Sequence, residues 1–103
     1  MNADAYRFEF QPHVSLSDAE ESLHLALFAV EGIFGRAQVR LDARYELDET
    51  GHAVMLDTTT LVGETVLRVF TGLLLREFSE DAFSVRRADS LPKFISQERT
   101  VTV

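Results

Sequence analysis

The 103-residue chain contains no cysteine, which removes disulfides, thiolate metal sites and cysteine nucleophiles from consideration. It has no apolar run approaching the ~20 residues that span a bilayer. Its start, Met1-Asn2-Ala3-Asp4, lacks the basic residues and apolar stretch of a secretion signal. A cytoplasmic location is therefore expected. Positive charge is also scarce, with 10 basic against 17 acidic residues and a net charge of −7. That sign repels phosphate backbones and anionic lipid surfaces, so neither nucleic acid nor membrane is an expected partner. Its plainest effect is solubility. Catalytic signatures are missing too: there is no Gly-rich phosphate loop and no serine in a nucleophile-elbow context. No catalytic residue, metal or cofactor is expected on this basis.

What remains is an ordinary globular composition, 46% hydrophobic, which supports one folded core rather than disorder. The length suits one domain, expected over residues 1–88, with 89–103 as a C-terminal tail. The tail is broken by Ser90-Leu91-Pro92 and ends in the β-prone Arg99-Thr100-Val101-Thr102-Val103. It is expected to be partly flexible or to add an edge strand.

Hydrophobic periodicity orders the rest. Tyr6, Phe8 and Phe10 alternate with Arg7, Glu9 and Gln11, which marks a first strand closed by Pro12. Ser15 or Ser17 is placed to cap a helix from Leu16 to Phe34, and Ser17 with Glu20 has capping-box spacing. Gly35 follows as its C-terminal stop. The core stripe of this helix is Leu16, Ala19, Leu23, Ala26, Leu27, Val30 and Phe34, with Ile33 beside it. A second strand is predicted from clean alternation: Ala37, Val39, Leu41, Ala43, Tyr45 and Leu47 against Gln38, Arg40, Asp42, Arg44, Glu46 and Asp48. Glu49-Thr50-Gly51 supplies a turn, and a third strand runs from His52 to Thr58. A second helix is predicted over Leu61–Ser79, capped by Thr60, with Val62, Val66, Val69, Phe70 and Leu73 inward. Glu64–Arg68 and Arg76–Glu80 have the spacing of ion pairs on its outer side. Phe83–Arg87 is a fourth strand.

Strand–helix–strand–strand–helix–strand (βαββαβ) resembles the split βαβ order of ferredoxin-like α+β folds. That resemblance implies a four-stranded antiparallel sheet with both helices on one face and the first and third strands central. It is architectural, carried by no family-specific motif, and the fold hosts many functions.

Each chemically suggestive group has a structural explanation beside it. RNA-binding domains of this shape display aromatics on the open sheet face. Here that face is expected to show Arg7, Glu9 and Gln11, then Arg40, Asp42, Arg44 and Glu46, then Met55, Ser84 and Arg86, as cross-strand ion pairs in solvent. Glu21-x-x-His24 has the spacing found in di-iron bundles, but the second helix offers no matching histidine. His13 and His52 have no evident acid–base partner. Asp57-Thr58-Thr59-Thr60 opens a helix where anions can bind, yet it lacks a lysine and carries its own acid, so capping explains it.

One feature exceeds its structural role. Leu25, Phe28, Ala29 and Gly32 lie opposite the core stripe of the first helix, where a helix on one sheet face should be polar. An outer strip of large and small apolar residues implies close packing against something else, and a two-fold contact is the commonest arrangement. Cover from within the chain, by the second helix or by Leu91, Phe94 and Ile95 of the tail, is the competing explanation. The expectation is a non-enzymatic protein-interaction domain that homodimerises through Leu25, Phe28, Ala29 and Gly32. The alternative is a small-ligand-binding domain or enzyme of the dimeric α+β-barrel type, with a site between sheet and helices.

Overall fold

In the computed structural model, which describes residues 4–88, the chain begins with β1 (Ala5–Phe10) and α1 (Leu16–Phe34). The register of β1 is set by its alternation: Phe8 and Phe10 are buried, while Arg7 and Glu9 point to the opposite face. Helix α1 starts where Ser15 caps it, the serine hydroxyl accepting from the Asp18 amide at 3.3 Å. Ser15 therefore takes the role rather than Ser17, and no Ser17–Glu20 capping box forms. The helix ends at Gly35, whose φ of 89° is open to glycine and strained for other residues. Ala19, Leu23, Ala26 and Val30 bury the expected stripe. Ile33, expected beside that stripe, is instead 66% exposed.

The second strand is the main correction. Residues predicted as one strand over 37–48 divide into a short helix, α2 (Arg36–Asp42), and a strand, β2 (Tyr45–Asp48). Alanine, arginine, glutamine and leucine are good helix formers, and Gln38 bonds Asp42 one turn later at 2.5 Å. As a helix the segment buries Val39 alone. Leu41, assigned to the inner face by alternation, is 76% exposed. The observed order is thus β-α-α-β-β-α-β, and the expected βαββαβ order is not matched.

The remaining elements are β3 (Ala53–Asp57), α3 (Leu61–Glu77), a 3-10 turn at Glu80–Ala82 and β4 (Phe83–Ala88). Thr60 caps α3, accepting from the Gly63 amide at 3.0 Å. It also donates to the Asp42 carbonyl at 3.2 Å, tying α2 to the start of α3. Gly63 is required there, because a Cβ would stand 2.3 Å from the Asp57 carbonyl oxygen. Leu74 is buried in this helix, while Val69 and Leu73 are half-buried. Among the described residues neither the Glu64–Arg68 nor the Arg76–Glu80 ion pair forms.

The sheet is antiparallel throughout, in the order β2-β3-β1-β4. The first and third strands are central, as expected. Phe8, Val54, Leu56 and Phe83 on the sheet meet Leu23, Ala26 and Val30 of α1 and Val66, Phe70 and Leu74 of α3 in a single core. The Phe8 and Phe70 rings lie 4.8 Å apart and tilted by 59°, within the favourable range for aromatic pairs. The tail and the residues Leu91, Phe94 and Ile95 lie outside the described residues.

Candidate functional site

The outer surface of α1 is built by helical periodicity. At 100° per residue, Glu21, Leu25, Phe28 and Gly32 fall within about 60° of one another, with Ala29 adjoining, opposite Leu23, Ala26 and Val30. Since the latter three are fully buried, the former must face away from the sheet. Phe28 is 72% exposed and Leu25 58%; Ala29 and Gly32 are exposed as well. Helix α3 lies beside α1 and leaves these side chains uncovered. Ile33 adds a further large apolar group on the flank nearer the core. Among the described residues a Cβ placed on Gly32 would meet nothing within 4 Å, so their packing does not call for glycine there.

Charge brackets the strip. Helix α1 carries Asp18, Glu20, Glu21 and Glu31 and no arginine or lysine. At its N-terminal end a groove of about 310 Å³ is lined by Asp18, Glu21, Ser22, Leu25, Glu77 and Phe78. Beyond its C-terminal end stand Arg36 and Arg40, both exposed. Glu21, Arg36 and Arg40 form no ion pair among the described residues.

The other suggestive groups are engaged structurally. On the sheet face away from the helices, Arg7 donates to Glu9 at 2.6 Å and to Asp48 at 2.9 Å, and Arg86 donates to Glu9 at 3.0 Å. Reaching Asp48 on β2 takes the Arg7 side chain across β3, over Ala53 and Met55 by register. Both of those residues are buried. The result is a chain of charges from β2 to β4. Hydrogen bonds from Arg7 and Arg86 hold the Glu9 carboxyl below its ordinary range. The Gly51 amide and then Arg7 do the same for Asp48. Arg40 and Asp42, expected on this face, are on α2 instead.

The His24 imidazole stands 3.7 Å from the Glu20 carboxylate and 3.3 Å from the Tyr45 hydroxyl. Partial burial and the nearby Glu20 charge raise the Tyr45 pKa. Glu21 takes no part, and no group of three or more metal-ligating side chains converges among the described residues. His52 donates from Nε2 to the Val14 carbonyl at 2.7 Å, fixing the loop before α1. His13 is exposed. At the start of α3 the Asp57 carboxylate accepts from both the amide and the hydroxyl of Thr59, at 2.8 and 2.6 Å. Those bonds serve the turn into α3.

Between sheet and helices, Phe8, Phe70, Leu23, Leu56 and Leu74 fill the interior. A shallow groove of about 310 Å³ bordered by Leu16, Glu20, Leu47, Glu49 and His52 opens at the surface. The sequence strip Leu25, Phe28, Ala29 and Gly32 therefore remains the candidate site. Ile33 belongs with it and was missed because its angle on the helix places it near the core stripe. No helix among the described residues is long and apolar enough to cross a membrane. No protein-family model, no curated protein and no solved structure matches the chain.

Proposed function

We propose that this chain is a non-enzymatic, cytoplasmic interaction domain that homodimerises through the outer face of α1. The observation that carries the reading is the exposure of Phe28 and Leu25, at 72% and 58%, beside Ala29 and Gly32 on one helix face. Isolated apolar residues on a surface are commonplace, whereas a contiguous patch of this kind marks a contact surface. The small residues matter as much as the large ones, since they let a second helix approach closely enough for Phe28 and Leu25 to be buried. A self-complementary two-fold contact is the commonest arrangement for such a patch. The sheet order β2-β3-β1-β4 further supports treating the fold as ferredoxin-like, with α2 as an insertion before the second strand.

Phe28→Glu is the direct test, because the position is exposed and the substitution leaves the core intact. Light scattering of the parent chain should give a dimer at high micromolar concentration, and the variant should be monomeric with an unchanged circular dichroism spectrum. A dimer that survives Phe28→Glu would assign the contact to another surface. Among the described residues, Phe8, Phe70, Leu23, Leu56 and Leu74 occupy the space between sheet and helices, which lends a ligand-binding site there no support.

A further inference from the structure

Along α1 and on into α2, exposed acidic, apolar and basic residues follow one another in that order. Asp18 and Glu21 stand at the N-terminal end beside the groove that Glu77 also lines. Leu25, Phe28, Ala29 and Gly32 follow, and Arg36 and Arg40 lie just past the break at Gly35. Such a sequence of chemistries is its own complement when reversed. A parallel pairing of two copies sets acid on acid and base on base, and large side chains on large ones.

On the reading that this face dimerises, we infer that two copies pair antiparallel about a two-fold axis between Phe28 and Ala29, with the Arg36 guanidinium of each seated in the acidic groove of the other. The register follows from the residues. An axis at that point sets Phe28 against Ala29, Leu25 against Gly32 and Glu21 against Arg36, each pairing occurring twice. Large side chains thus meet small ones at both central positions. At 1.5 Å per residue, Glu21 and Gly35 stand roughly 10 Å from the axis on either side, so Arg36 leaves the C-terminal rim of one helix level with Glu21 of the other.

Three observations favour this occupant. Leu25 belongs both to the apolar strip and to the groove wall, so the acidic site continues the strip. The groove is lined by carboxylates from two helices, Asp18 and Glu21 from α1 and Glu77 from α3, but no metal-holding group of side chains forms among the described residues. Carboxylates spread in this way suit a planar guanidinium, which offers several donors at once. Finally, Glu21 and Arg36 are without ion-pair partners inside the chain, among the described residues.

Charge exchange tests the pairing in the full-length chain by sedimentation equilibrium. Glu21→Arg and Arg36→Glu should each weaken the dimer roughly three- to thirtyfold, since each disturbs two symmetry-related exposed pairs. The double exchange restores both pairs and leaves the net charge at −7, so its dissociation constant should return to within about threefold of the parent value. Thermal melts of the monomeric Phe28→Glu form carrying the same exchanges identify any effect on folding alone. A dimer that Phe28→Glu abolishes, but that the double exchange fails to restore, overturns the antiparallel pairing and leaves the dimer surface standing. A parent chain that stays monomeric at every concentration overturns both.

Discussion

A glycine inside a helix costs roughly 0.5–1 kcal/mol relative to alanine, and Gly32 incurs such a cost with open space among the described residues where its Cβ would stand. Gly63 contrasts with it, since the Asp57 carbonyl occupies the space a side chain would need. In the monomeric Phe28→Glu background, Gly32→Ala should raise stability by about 0.5 kcal/mol, the lower end of the helix-interior range because Gly32 is in the last turn. Urea denaturation would measure it, and the same substitution in the parent chain should weaken dimerisation. The sheet-face charges make a second prediction at this scale. Glu9 and Asp48 ionise more readily folded than unfolded, so their contribution is present above their ordinary values of 4.5 and 3.8. It is lost as pH falls through the lower folded values. Stability should therefore drop below about pH 4.5, and Arg7→Met, which removes the shared cation, should flatten that decline. Arg7 is mostly covered, yet its partners are part-exposed, so solvent screening keeps the expected loss at neutral pH small. Melting temperature measured from pH 3 to pH 8 would show both effects.

Among the elements, legibility followed how many independent signals agreed. Helix α1 was legible at both ends from its capping serines, a stripe of seven apolar positions and a terminal glycine, but spacing alone did not choose Ser15 over Ser17 as the cap. Helix α3 was read nearly as well from Thr60 and its apolar stripe. The segment 36–48 misled because alternation over Ala37, Val39 and Leu41 matches a strand, while seven residues are too few for helical periodicity to oppose it. Tertiary context decided the matter: Val39 enters the core and Thr60 holds the end of α2 through the Asp42 carbonyl. Val39→Ala should consequently cost about 1–2 kcal/mol. Hydrogen exchange should show faster amide exchange over 36–42 while the central strands and α3 keep their protection.

For the whole molecule, the mixed α+β architecture and the central position of β1 and β3 were legible, because the alternating aromatic strand and two amphipathic helices leave few other arrangements. The candidate surface was legible for a different reason. Leu25, Phe28, Ala29 and Gly32 break the rule that the outside of such a helix is polar, and a broken rule can be seen without knowing the fold. The acidic groove could not be seen in this way, since Glu77 lies on α3 and only folding brings it near Glu21. Two copies each carrying −7 repel one another at long range, so association has to rest on the apolar strip and the local charge order. Sedimentation velocity of the full chain, from low to high micromolar concentration, tests this most directly. The expected result is a mass rising with concentration toward twice the 11.6 kDa of the monomer. A mass that stays at 11.6 kDa across the whole range would contradict the account.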